Sequence, residues 1–288
     1  MKVGHIMRKD LKYKEIVKRL TLENFDILKE EYKLNHNVML GILDYGLHDK
    51  DIFEDKRKIL NELKYKYQFS LVLKDSKYGI ISDTHIGNEK DSPYYINKSF
   101  KLLEQNGINK VLHTGDILDS YDERDILTQD ELINLHYKQI VRFHDIWPTN
   151  IITYAILGNH DTKFKRLGIN LYKELSSDTF TILGAGGAYI KCSSYKLFLE
   201  HNVLTSVLVP PHYNYDVILK GHAHFFKFKE NRNAFRVASC SNLQPNSYSL
   251  GYYAPGFATI STTDGLVIEG YNFIKDETVH TLTLKIKD

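Results

Sequence analysis

Apolar and polar positions along this chain follow two rhythms, and the change between them falls near residue 76. Up to about residue 75 the apolar residues recur at helical spacing: Tyr13, Ile16, Val17 and Leu20, then Phe25, Leu28 and Tyr32, then Val38, Leu40, Ile42 and Leu43. Asp51 to Tyr67 continues the pattern, with Ile52, Phe53, Ile59, Leu60 and Leu63 on one face. A small helical domain over residues 1–75 is predicted. Its middle has helix-turn-helix spacing: one helix to Leu34, a turn at Asn35-His36-Asn37, and a second helix from Val38. Phe69 to Leu73 is strand-like, and reads either as a partner of Tyr78–Ile81 or as a wing.

From Lys77 the order becomes strand, loop, helix, which predicts an α/β (α+β) domain over 76–288 whose strand ends carry the site. Helices are predicted for Pro93 to Gln105, stopped by Asn106-Gly107, for Asp122 to about His144, and for Thr162 to about Leu175. After Asp178 the pattern is mainly β. Strands are predicted at Phe180–Leu183, Ala188–Cys192, Tyr195–Glu200, Asp216–Leu219, Phe235–Cys240, Phe257–Ser261, Leu266–Phe273 and Thr281–Ile286, with a hairpin turn at Thr263-Asp264-Gly265.

Five apolar runs end in clusters of oxygen and nitrogen donors. Lys77 to Ser82 runs into Asp83-Thr84-His85, and Val111 to Thr114 into Gly115-Asp116, with Asp119 beyond. Ile151 to Leu157 runs into Gly158-Asn159-His160-Asp161, Lys196 to Glu200 into His201, and Val217 to Lys220 into Gly221-His222-Ala223-His224. The set Asp83, His85, Asp116, Asn159, His201, His222 and His224 contains no thiolate. It suits manganese, iron, zinc or magnesium, and is too large for one tetrahedral ion. Two ions sharing a carboxylate would hold a hydroxide between them and stabilise both oxygens of an in-line displacement at phosphorus. His212, in a proline-flanked loop, is a rival to His201.

Composition narrows the setting without naming a substrate. The chain has 288 residues, 42% hydrophobic and 26% charged, and a formal charge of +2, which gives no whole-chain case for nucleic-acid binding. The opening dozen residues are locally basic, so residues 1–75 read either as a DNA-contacting element or as a bundle packing on the enzyme or another subunit. Cys192 and Cys240 both fall in predicted strands, which points away from a disulfide framework and towards a reducing, cytoplasmic setting. No apolar run approaches the ~18 residues a membrane span needs, so no membrane partner is expected. Gly-x-Ser-x-Gly and Gly-x-x-x-x-Gly-Lys signatures are absent, which removes support for serine-hydrolase and P-loop chemistry.

The blocks Asp83-x-His85, Gly115-Asp116-x-x-Asp119, Gly158-Asn159-His160-Asp161, His201 and Gly221-His222-x-His224 resemble those of the calcineurin-like metallophosphoesterase family. The resemblance implies a two-sheet β-sandwich flanked by helices. It implies that Asp83, His85 and His224 hold one metal, that Asn159, His201 and His222 hold a second, and that Asp116 bridges them. It further implies that His160 protonates the leaving oxygen and that Asp161 orients His160. Asp119 either orients a ligand or caps its loop. The blocks also resemble those of the family's DNA-repair nucleases. The expected function is therefore hydrolysis of a phosphodiester of nucleic acid or nucleotides by two divalent ions, manganese first. A small-molecule phosphomonoesterase or cyclic-nucleotide phosphodiesterase is the alternative. A DNA-binding or scaffold protein with a vestigial site is the alternative of a different class.

Overall fold

A computed structural model of the chain describes residues 14–34, 38–39, 42–43, 46–47, 54–67, 69–74, 77–88, 91, 93–120, 128–201, 215–229, 234–241 and 255–284. Two compact units are present: residues 1–70 with 207–213, and residues 71–206 with 214–288.

The first unit is helical where described. Residues 14–19 are helical, followed by α1 (Phe25–Glu31) and α2 (Glu54–Tyr67). Ile16, Leu20, Phe25, Leu28, Met39, Leu43, Leu60 and Leu63 form its core. Each such side chain, fully buried, contributes roughly 1.5–3 kcal/mol. Helix α1 stops at Glu31, short of the predicted Leu34, because Lys33 turns left-handed (φ 52°) and Leu34 N–H returns to Lys29 O at 2.9 Å. The predicted turn at residues 35–37 and the basic residues up to 13 lie outside the described residues. Of the basic residues beyond them, Arg19 is engaged by Glu31 in a two-pronged ion pair, at 2.7 Å for each contact.

Among the described residues, the second unit has thirteen strands in two sheets. In chain order they are β1 (Leu71–Leu73), β2 (Lys77–Ile81), β3 (Lys110–His113), β4 (Ile152–Leu157), β5 (Phe180–Ala185), β6 (Gly187–Cys192) and β7 (Tyr195–Glu200). They continue as β8 (Val217–Lys220), β9 (Lys227–Lys229), β10 (Ala234–Arg236), β11 (Gly256–Ser261), β12 (Leu266–Asn272) and β13 (Glu277–Leu284). One sheet runs β1-β6-β7-β8-β10-β9 and the other β13-β12-β11-β2-β3-β4-β5. Strand β1 pairs in parallel with β6 and not with Tyr78–Ile81. The reason is that β2 already has β3 on one edge and β11 on the other.

Side-chain alternation sorts the strands' residues between two cores. Tyr78 and Ile80 of β2, Leu112 of β3 and Ile156 of β4 join Leu197, Leu199, Val217 and Leu219 of the other sheet. Their chain neighbours Ile81, Val111, Ala155 and Leu157 face away, towards helices α3 (Pro93–Gln105) and α4 (Gln129–Ile146), where Ile96, Phe100, Leu103, Ile140, Phe143 and Trp147 cover them. The result is a two-sheet sandwich with helices on its outer face, as expected.

Helix α3 has the predicted bounds, closed by Gly107 in the left-handed region (φ 69°) with Ile108 N–H on Leu103 O. Helix α4 starts later than the predicted Asp122. Thr128 caps it, exchanging hydrogen bonds with Glu131, and residues 121–127 lie outside the described residues. The predicted helix from Thr162 to Leu175 is broken into α5 (Asn159–Lys163), a 3-10 turn (Phe164–Leu167) and α6 (Leu171–Glu174), because Gly168 turns left-handed (φ 79°) and Asn170 starts the last piece. The predicted strand at Phe235–Cys240 is only Ala234–Arg236, since Cys240 N–H leaves the sheet for Ser82 O at 2.9 Å. Lys227–Lys229, not predicted, is the edge strand beside it. Among the described residues no helix is long and apolar enough to cross a membrane.

Candidate metal centre

Every ligand block emerges where its strand stops. Asp83 and His85 follow β2, Asp116 follows β3, Asn159 opens α5 after β4, His201 follows β7, and His222 and His224 follow β8. Asp83, His85, Asp116, His222 and His224 are left-handed, with φ of 51°, 43°, 54°, 75° and 58°. Non-glycine residues in this region cost of order 1–3 kcal/mol each, so the surroundings must hold them. Part of that hold is a backbone ladder continuing past the strand ends: Asp83 N–H to Gly115 O (3.0 Å), His85 N–H to Asp116 O (3.1 Å) and Ile86 N–H to Ile117 O (2.9 Å). Asp83 and His85 thus face one site from two left-handed residues separated by Thr84. Gly158 is needed for packing: a Cβ there would overlap the backbone and carboxylate of Asp116.

The side chains converge in two groups. Asp83 Oδ1 lies 3.8 Å from His85 Nε2 and 3.4 Å from His224 Nε2, and the two imidazole nitrogens are 3.2 Å apart. Asp116, His201 and His222 form the other group, with His201 Nε2 2.9 Å from Asp116 Oδ2. Asp116 Oδ2 is also 3.6 Å from His85 Nε2, which puts this carboxylate between the groups. His201 joins the cluster, while its rival His212 lies outside the described residues.

Donor chemistry fits divalent cations. His201 Nδ1–H donates to Thr114 O at 2.7 Å, which turns Nε2 into the site. Although Asp116 is near, Nε2 makes no well-directed hydrogen bond, and the buried Asn159 Oδ1 has no hydrogen-bond partner. A buried acceptor left alone, as the Asn159 oxygen is, is costly unless a cation meets it. Burial pushes the Asp83 and Asp116 carboxyls up, but the charge of His201 and the neighbouring histidines outweighs it, holding Asp83 well below the usual range and Asp116 at about 2. Burial pushes His201 and His85 down, yet the surrounding carboxylates raise them to about 9 and about 10. In the metal-free protein, protons balance the charge that metals would otherwise balance.

The carboxylate beside His160 is not the expected one. His160 Nδ1 lies 2.8 Å from Asp119 Oδ1, an oxygen that also lies 3.0 Å from His85 Nδ1. Asn88 Nδ2 donates to the other Asp119 oxygen at 2.6 Å. Asp119 is therefore the carboxylate that orients His160, and it also fixes His85 with Nε2 towards the metal site. Asp161, expected to orient His160, instead accepts backbone N–H groups from Gly158, Leu118 and Ile117 at 2.8, 2.9 and 3.1 Å, tying the third loop to the second. Burial and the Asp116 charge push Asp161 up to about 6 against those three bonds.

Sequence reasoning missed the supports. Ser82 Oγ donates to the Asp83 carboxylate, Ser239 Oγ to Asp83 O (2.7 Å), and Arg142 grips Asp91 through two contacts beneath the His85 loop. Only the place of Ser82 beside a ligand was a signal; the others come from far along the chain. Cys240 is a buried thiol pushed up to about 12 by burial, 3.0 Å from Ser99 Oγ, and belongs to the packing.

Two sheets with acid and histidine clusters at their strand ends define a metallophosphoesterase. Residues 76–253 match the sequence profile of the calcineurin-like phosphoesterases, and the chain belongs to that family. Among solved structures it is similar to YfcE, a phosphoesterase from E. coli, at 17% identity over 72% of this chain and 98% of that one, with a TM-score of 0.44. It is also similar to zinc-complexed Vps29 from Entamoeba histolytica (14%, 72% and 98%, 0.44) and to the nuclease MPE from Pseudomonas putida (15%, 67% and 83%, 0.35). No curated protein sequence matches the chain.

Proposed function

We propose that this phosphoesterase hydrolyses a phosphodiester of nucleic acid or nucleotides. The observation that carries the reading is the convergence of Asp83, His85 and His224 on one group and of Asp116, His201 and His222 on another, with Asp116 Oδ2 3.6 Å from His85 and His160 partly open to solvent beside them. Asp83, His85 and His224 would hold one divalent ion, Asn159, His201 and His222 the other, and Asp116 both, with manganese the first choice. When bound, such ions supply Lewis-acid polarisation of the phosphoryl oxygen and a lowered pKa for water. Only two of the seven ligands are carboxylates, so the loaded site keeps positive charge for an anionic phosphate.

The chain's own groups do the rest. His160 is partly open to solvent, with Nδ1 tied to Asp119, and its Nε2 is the atom that can deliver a proton to a departing alkoxide. Ser120 Oγ, 3.4 Å from His160 Nδ1, lies beside that pair. The likeness of the blocks to DNA-repair nucleases and the basic opening residues support a nucleic-acid or nucleotide substrate. The test compares hydrolysis of bis-p-nitrophenyl phosphate and p-nitrophenyl phosphate with added manganese, followed by labelled DNA and RNA. Faster diester turnover is expected. Preference for the monoester, with nucleic acid left intact, would replace this reading with a phosphomonoesterase.

A further inference from the structure

A buried chain of hydrogen bonds joins the first two ligand loops without passing through any ligand side chain. Gly115 N–H donates to His113 Nδ1 (3.1 Å), His113 Nε2 lies 3.2 Å from Thr84 Oγ1, and Thr84 Oγ1 donates to Ile117 O (2.8 Å). A backbone amide can only donate, so Nδ1 carries the lone pair. The imidazole is therefore neutral, with its proton on Nε2 directed at Thr84. The threonine hydroxyl accepts that proton's bond and gives its own to Ile117 O. Each polar atom in the chain has one assigned role, and both side chains are fully buried, the imidazole lying 5.7 Å from the Trp147 ring.

The place of this chain gives it leverage. Thr84 sits between Asp83 and His85, while Gly115 and Ile117 flank Asp116. Three of the ligand residues thus neighbour a member of this chain: His113 holds the Gly115 amide and the Thr84 hydroxyl, and Thr84 in turn holds Ile117 O. The same three residues and Gly115 (φ 100°) have left-handed backbone, which relaxes unless neighbours hold it. The ladder of backbone bonds ties one loop to the other along their main chains, and the His113–Thr84 chain adds a second tie through side chains.

We propose that His113 and Thr84 are a positioning pair that sets the spacing between the Asp83–His85 loop and the Asp116 loop, and so pre-arranges the two metal sites. The inference rests on reading those residues as metal ligands. It assigns to His113 no contact with substrate and no proton transfer.

The test uses the full chain with manganese(II) as probe. His113→Phe keeps a ring against Trp147 and removes both nitrogens, Thr84→Val keeps the shape and removes the hydroxyl, and Thr84→Ser restores a hydroxyl. Calorimetric titration reports affinity, electron paramagnetic resonance reports spin coupling between two bound ions, and thermal melting reports the metal-free fold. Loss of at least tenfold in manganese affinity and loss of the coupled signal are expected in His113→Phe and Thr84→Val, with Thr84→Ser close to wild type. The double variant should be no worse than the poorer single one, because the pair acts as a unit. Wild-type affinity and coupling in folded variants, or a lowered melting temperature with unchanged metal binding, would overturn the inference. If His113→Phe does not fold, the contrast between Thr84→Val and Thr84→Ser decides. A wild-type protein that binds no manganese would overturn the metal-site reading itself, a result distinct from normal binding in the variants.

Discussion

Replacing Asp119 by asparagine removes one negative charge and leaves the shape of the side chain. In the structure Asp119 Oδ1 meets His160 Nδ1 at 2.8 Å and His85 Nδ1 at 3.0 Å, and the second oxygen takes Asn88. An amide has one acceptor oxygen, so keeping both histidine contacts turns its NH2 towards the Asn88 NH2. Hydrogen bonds to a charged partner contribute roughly 1.5–3 kcal/mol and neutral ones roughly 0.5–1.5. Two bonds weakened by about 1–1.5 kcal/mol each amount to ~2–3 kcal/mol, a loss in kcat of roughly 30- to 150-fold. The assay is manganese-dependent hydrolysis of two diesters, one with a p-nitrophenolate leaving group and one with an alkoxide. The loss should be larger for the alkoxide, which needs the proton that His160 delivers. Asp161→Asn, whose partners are backbone amides, should lower the melting temperature without changing the leaving-group dependence. Asp119→Asn within threefold of wild type on both esters would refute this account, as would a selective alkoxide defect in Asp161→Asn.

The remaining predictions concern the same atoms. His160→Ala should keep both manganese ions by calorimetry while kcat falls by about 10²–10⁴, and unchanged turnover of an alkyl diester would remove its role. Gly158→Ala should lower the melting temperature by overpacking against Asp116, at about 1–3 kcal/mol, and weaken manganese binding; a wild-type isotherm would show that the contact relaxes. His201 and His85 are raised to about 9 and about 10 in the metal-free protein, above an unfolded value near 6.5. Their stabilisation is therefore complete below pH ~6.5 and lost as pH rises through 9 to 10. Melting of chelator-treated protein should weaken across that window, and a flat or rising profile would contradict the direction.

Much of this was legible because the pattern along the chain reports what is local. Strand β7 and helix α3 match their predicted bounds, since Tyr195–Glu200 and Pro93–Gln105 carry the period and the stop signals in their own residues. The clustering of donor blocks was legible because each apolar run ends at its donors. What failed needed partners distant in sequence. The pairing of Leu71–Leu73 depends on which edges β2 has left, and no window around residue 71 contains that information. Gly168 was overlooked as the break in a helical pattern that Phe164 and Leu171 otherwise sustain. The exchange of roles between Asp119 and Asp161 is a matter of where two loops cross: Asp161, next in sequence to His160, has its oxygens turned to amides of the second loop. Adjacency in sequence was the wrong guide there.

The central claim is that Asp116 joins two metal sites. Anomalous diffraction from crystals soaked in manganese chloride tests it most directly. Two peaks about 3.5–4 Å apart are predicted, one beside Asp83, His85 and His224, the other beside Asn159, His201 and His222, with the Asp116 carboxylate between them. A single peak, or two peaks that leave Asp116 unligated, would contradict the account.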